Sequence, residues 1–169
     1  MDELHQWLAE AERGHGQAVG LVAEPGVGKS RLAWEFVRSP RTDGWEVLQA
    51  EAASYGGATG YLPVIGLLKK YFAIEAHEDT SEVQRKIRGK LLDLDQALEP
   101  VLPALFALLD VPVDDERWQW LEPRERRQRT LEAIKRLVLR ESQVHPLVML
   151  FEDLHWIDAE TQAVSAVIQ

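Results

Sequence analysis

Ala23-Glu24-Pro25-Gly26-Val27-Gly28-Lys29-Ser30 sets the terms for everything around it. The five residues before it, Ala18-Val19-Gly20-Leu21-Val22, are short and apolar enough to predict a buried parallel strand. The seven after it, Arg31-Leu32-Ala33-Trp34-Glu35-Phe36-Val37, predict a helix with Leu32, Phe36 and Val37 on a shared face. Strand, glycine turn, Lys-Ser and helix together make the context of a phosphate-binding loop, a unit running over 18–37. The pattern G-x-x-x-x-G-K-[ST] is met at each fixed position but the first, where Ala23 replaces Gly.

Gly26 and Gly28 permit backbone angles that turn successive N–H groups inward to form an anion nest. The helix starting near Lys29 adds its unpaired N–H groups and the positive end of its dipole. Glu24, Pro25, Gly26, Val27, Gly28, Lys29, Ser30 and Arg31 are therefore the candidate nucleotide-binding residues. Lys29 is placed to reach the β- and γ-phosphates, and the Ser30 hydroxyl to serve Mg²⁺. A ligand-free strand-to-helix turn is the plain alternative, and the Lys-Ser spacing weighs against it.

The 169 residues are 46% hydrophobic and 28% charged, with no cysteine. That composition fits one α/β domain and excludes a disordered chain or a disulfide scaffold. No apolar run approaches a membrane span and no leader precedes the first helix, so a soluble cytoplasmic protein is expected. The net charge of −9 argues against a nucleic-acid-binding surface.

Residues 1–12 predict an amphipathic helix, with Leu4, Trp7, Leu8 and Ala11 on one side and Gly14-His15-Gly16 ending it. Trp7 is read as a packing aromatic ahead of an adenine contact. Beyond the loop helix, Pro40 to Gly44 is a turn and Trp45 to Ala50 a second strand with imperfect alternation. Ala52 to Gly60 is a polar, glycine-rich loop that opens on the ligand edge of a parallel sheet. Tyr55 and Thr59 within it are read as turn residues before ligand contacts.

A helical middle region is expected over 61–142. Tyr61 to Ile74 forms a helix with Pro63 in its first turn, and Leu62, Ile65, Leu68, Tyr71 and Phe72 are core candidates. Thr80 to Leu94 forms another, capped by Thr80 or Ser81. Glu99 to Leu109 is a short proline-started helix. Asp114 and Asp115 lack further ligands for a metal. Trp118 and Trp120 precede Arg124, Arg126, Arg127 and Arg129, a mixture that could stack bases and hold phosphates. The spacing of Leu131, Ile134, Leu137 and Val138 instead favours a long amphipathic helix with a solvated charged face.

The second chemical constellation lies at 146–153, where the apolar strand Pro146-Leu147-Val148-Met149-Leu150-Phe151 ends in Glu152-Asp153. Two acids at a strand end suit the Mg²⁺ side of a nucleoside-triphosphate site. Glu152 is assigned to Mg²⁺ and Asp153 to water activation, and strand alternation allows the reverse. With Lys29, these acids make the candidate catalytic set; with Ser30, the candidate metal set. His155 either senses the γ-phosphate or fixes the loop beside Asp153. Asp158 is the expected cap of the last helix, with Thr161 at its third position.

Ala-Glu-Pro-Gly-Val-Gly-Lys-Ser-Arg-Leu at 23–32 and Phe-Glu-Asp-Leu-His-Trp-Ile-Asp at 151–158 resemble the STAND-type, AAA-like ATPase modules of bacterial signalling proteins. These are also called origin-recognition-like AAA domains. They accompany class III adenylate/guanylate cyclases or LuxR-type regulators, and Tyr61-Leu62-Pro63-Val64 and the arginine-rich stretch 124–140 are similar to the cyclase-associated group. The resemblance implies a three-layer α/β P-loop NTPase fold, a parallel sheet with flanking helices. Gly26, Gly28, Lys29 and Ser30 would be its Walker A residues, and Glu152 and Asp153 its Walker B acids, where many relatives have two Asp or Asp-Glu. It also implies ATP rather than GTP, Mg²⁺, slow hydrolysis, and an effector domain or partner protein switched between resting and active assemblies.

Against that family, the chain starts just inside the usual Gly-Arg-Glu box and stops one helix after the Walker B strand. The resemblance therefore implies a domain incomplete at its C-terminus, without the sensor strand that separates the P-loop strand from the Walker B strand. An aggregation-prone chain and a poor ATPase are the expected consequences. The leading function is an ATP-binding regulatory switch. The alternatives are a non-catalytic nucleotide-sensing or protein-interaction module and a P-loop small-molecule kinase.

Overall fold

A computed structural model describes residues 1–51, 60–152 and 158–167. Its elements are α1 (Asp2–Glu12), α2 (Lys29–Val37), β1 (Glu46–Glu51), α3 (Leu62–Tyr71), α4 (Thr80–Leu94), α5 (Leu102–Leu108), α6 (Glu116–Gln119), α7 (Pro123–Val144), β2 (Leu147–Glu152) and α8 (Ala159–Val167). Short 3₁₀ turns lie at Pro40–Thr42 and Gln96–Val101.

β1 and β2 pair in parallel, from Glu46 opposite Leu147 to Glu51 opposite Glu152. Parallel neighbours need a long crossover, and here the helices α3 to α7 supply it. Alternation along each strand turns Leu48 and Ala50 of β1, with Leu147, Met149 and Phe151 of β2, toward the helical core. Gln49 and Glu152 share the other face. α2 packs against β2, and its buried Ala33 stands outside the main core cluster.

That cluster is helical at its centre. Leu68, Ile87, Leu91, Leu105, Ile134 and Val164 are all below 2% exposed and come from α3, α4, α5, α7 and α8. Each contributes roughly 1.5–3 kcal/mol by leaving water. The helices begin where their first turns can be satisfied. Asp79 accepts from the Glu82 N–H at 2.9 Å to cap α4, the role expected of Thr80 or Ser81. Glu125 accepts from the Glu122 N–H at 3.2 Å ahead of α7, and Pro123 occupies its first turn. Asp115 accepts from the Arg117 N–H at 2.8 Å and so caps α6.

One buried charge ties the crossover together. Glu141 of α7 is 6% exposed; it accepts from the Tyr71 hydroxyl and its other oxygen lies 2.7 Å from His145 Nδ1. Burial, and then the bond to Glu141, push the Tyr71 hydroxyl far above the ordinary tyrosine value. The pair locks α3 to the end of α7, two residues before β2 begins.

The largest correction concerns 18–22. Those residues are not a strand: residues 15–24 have no regular structure and are exposed, Val22 at 97%, Val19 at 40% and Leu21 at 37%. An apolar run becomes a strand only where a neighbour completes its ladder. In the described sheet β2 pairs with β1 alone, and 18–22 is paired to neither strand. The same lack leaves β2 half-buried along its whole length, not enclosed as its Leu-Val-Met-Leu-Phe run suggests. Leu62, expected in the core, is 37% exposed, and Val64 and Leu67 are buried in its place.

Candidate functional site

The turn at Pro25–Gly28 leads directly into α2. Gly26 has φ +84° and Gly28 φ +94°, the left-handed region that costs a side chain energy and a glycine little. A Cβ added to either would meet nothing within 4 Å, so backbone angle, not crowding, calls for glycine there. Gly28 caps α2, and its carbonyl accepts from the Leu32 N–H at 2.9 Å.

Lys29 folds back over this turn. Its ammonium donates to the carbonyls of Ala23 at 2.8 Å and Glu24 at 3.0 Å. The N–H groups of Gly26 to Arg31 meet no protein acceptor among the described residues. N–H donors without a protein acceptor, the start of a nine-residue helix and one ammonium are the parts from which an anion cradle is built. The Arg31 side chain is engaged elsewhere: its Nε lies 2.8 Å from Glu35 Oε1, and this hydrogen bond and charge raise the guanidinium pKa.

Glu152 closes β2, half-buried. One carboxylate oxygen accepts from Gln49 Nε2 at 2.5 Å. Packing of α2 on β2 brings the helix that begins at Lys29 beside the strand that ends at Glu152. Asp153, His155 and Trp156, like Tyr55 and Thr59, lie outside the described residues. Among the described residues no cluster of three or more metal-ligating side chains occurs. By donor chemistry alone, Mg²⁺ keeps several waters and takes one or two carboxylates plus phosphate oxygens. Ser30 and Glu152 supply a hydroxyl and a carboxylate of that kind.

Asp158, the first described residue after Glu152, does more than cap. Its Oδ1 accepts from the N–H groups of Glu160 at 3.0 Å and Thr161 at 2.9 Å, and its Oδ2 from the Thr161 hydroxyl at 2.7 Å. The same Oδ1 also accepts from the Tyr61 N–H at 3.0 Å. Tyr61 has φ +66°, unusual for a bulky residue, and this bond helps hold it there. Gly60 is packed so closely that a Cβ would lie 3.0 Å from Glu160 Cγ. Burial raises the Asp158 pKa, but the four hydrogen bonds outweigh it and leave the carboxyl below its ordinary 3.8. Glu160 is bound by Arg127 through both oxygens, at 3.0 and 2.7 Å, and is likewise held below its ordinary value by that bond.

Two of these contacts had little sequence signal. The broken alternation of Trp45 to Ala50 is the only hint of Gln49, and nothing within the cluster 124–129 selects Arg127. A cleft of about 190 Å³ lies away from the loop, lined by residues including Pro100, Pro103, Trp118, Arg129 and Arg136.

A glycine turn feeding a helix, beside a parallel sheet whose strand ends in an acid, belongs to the P-loop NTPase class, with helices flanking the sheet. Residues 1–168 match the AAA ATPase domain, and the chain is a member of that family. Neither the curated proteins nor the solved structures contain a match to it. No helix among the described residues is long and apolar enough to cross a membrane.

Proposed function

We propose that this chain binds ATP with Mg²⁺ and serves as the nucleotide switch of a larger signalling or transcription-regulating protein of the STAND type. The cradle of Gly26 to Ser30 carries this reading, with two left-handed glycines and a lysine curled over unengaged N–H groups. Membership of the AAA ATPase domain family supports it.

In this reading the N–H groups of Gly26 to Ser30 hold the phosphates, and Lys29 exchanges its two carbonyl partners for the β- and γ-phosphate oxygens. Ser30 and Glu152 would be the residues that hold the metal. When bound, Mg²⁺ neutralises charge on the phosphate oxygens. Asp153 orients and activates the attacking water, and Glu24, Pro25, Val27 and Arg31 shape the cradle through their main chain. A non-catalytic nucleotide-sensing module is the second reading, favoured by the open segment 15–24, which the described sheet does not brace.

Titration with a fluorescent ATP analogue, with and without Mg²⁺, tests the proposal. Lys29→Ala is expected to weaken binding about 100-fold, the size of two charge-assisted hydrogen bonds, with an unchanged unfolding midpoint. Equal affinity in the variant would overturn it. Phosphate release separates the switch ATPase from the sensing module, and acceptor-dependent ADP formation would favour a small-molecule kinase.

A further inference from the structure

Glu152 is the acid on which metal binding depends in the proposed function, and its hydrogen-bond partner comes from the neighbouring strand, not from its own loop. Gln49 stands opposite Leu150 in the parallel register, one step short of Glu152 on the same face. At that diagonal a glutamine side chain is long enough to span to the carboxylate, and it does, Nε2 to Oε1 at 2.5 Å. A carboxylate can only accept, so the amide nitrogen must be the atom turned toward it. Both side chains are half-buried, where a hydrogen bond to a charged group is stronger than in open water.

Gln49 is itself held in place from both sides. Its main chain is committed to the β1–β2 pair, and its carbonyl also accepts from Lys70 Nζ of α3 at 2.9 Å. The amide therefore approaches Glu152 from a fixed strand, braced by a helix of the core. The bond occupies Oε1, and among the described residues nothing donates to Oε2.

We propose that Gln49 is a positioning residue for the metal-side acid: it pins one oxygen of Glu152 so that the other is presented to Mg²⁺. This rests on the nucleotide-site reading above. It concerns a residue that lies outside both the loop and the acid pair and was not among the candidates read from the sequence. Gln49 touches neither nucleotide nor metal; it acts only through Glu152.

The test is a double-mutant cycle on the 169-residue chain, read as the gain in ATP-analogue affinity that Mg²⁺ produces. The variants are Gln49→Met, which keeps length and removes the donor, Glu152→Gln, and the two combined. Gln49→Met is expected to leave Mg²⁺-free binding unchanged and to cut the Mg²⁺-dependent gain about tenfold, the worth of one hydrogen bond to a charged group. In the Glu152→Gln background the same change is expected to do nothing further. Gln49→Val, a good strand former, is run in parallel so that poor folding of one variant does not decide the matter, with circular dichroism as the check on both.

A Mg²⁺-dependent gain that Glu152→Gln removes and both Gln49 variants retain overturns this inference and leaves the nucleotide site standing. Equal losses from Gln49→Met in the two backgrounds also overturn it, because they mark a general structural role. A wild-type chain with no Mg²⁺-dependent gain overturns both proposals together.

Discussion

The two halves of the candidate nucleotide site are held in different ways. Residues 15–30 are almost wholly exposed, and their shape comes from near neighbours: two left-handed glycines and a lysine bonded to carbonyls five and six residues back. Glu152 is placed by partners remote in sequence, with Gln49 across the sheet 103 residues away and β2 held in register by β1. An anion cradle can thus take its form without a sheet behind it. An acid at a strand end cannot, because its position is that of the strand.

Three substitutions test that contrast. Leu105→Ala, at a fully buried position of α5, is expected to destabilise the body by about 2–5 kcal/mol through lost burial and an unfilled cavity. Urea unfolding followed by circular dichroism measures it, and a cost below 0.5 kcal/mol would mean that the helices α3 to α7 do not share one core.

Asp158→Ala is expected to cost about 1 kcal/mol, the usual worth of a helix N-cap, and to change the acid limb of stability. Asp158 and Glu160 both have folded-state pKa values below their ordinary 3.8 and 4.5. Their ionised forms are the ones folding favours, so their contribution is complete above those ordinary values. It fades as pH falls past them toward the folded-state values. A plot of unfolding midpoint against pH should therefore be flatter below about pH 4.5 in the variant than in the wild type. Parallel curves would remove Asp158 from any linkage between Tyr61 and α8.

The smallest effect belongs to Val22→Ser. At 97% exposed, Val22 has nothing to lose from folding, and a change within ±0.5 kcal/mol is expected. A loss comparable to that of Leu105→Ala would show that 18–22 is built into a packed sheet after all, and the distinction between an open arm and a closed body would fall.

Much of the local structure was legible because its causes are local. The span of α4 from Thr80 to Leu94, the proline in the first turn of α3 and the Asp158 cap with Thr161 at its third position all agree with the structure. Each follows from side chains within a turn of where they act. The glycine angles at 26 and 28 were legible for the same reason. Errors arose where an outcome depends on a distant neighbour. Ala18 to Val22 has the composition of a buried strand and yet pairs with neither strand of the sheet, and Leu62 sits on the outer side of a helix whose inner side is Val64 and Leu67.

The amino-acid sequence alone determined that this protein carries a glycine turn, a lysine and a serine at the start of a helix, and an acid at the end of an apolar strand. Backbone stereochemistry acts over a few residues, and so those features could be read in order along the chain. Tertiary structure alone decided that Gln49 is the partner of Glu152, that Arg127 among the clustered arginines binds Glu160, and that Tyr61 is held by Asp158. Those pairs join residues 33 to 103 positions apart. They meet only because a parallel β1–β2 register and the packed helices between the strands bring them within reach.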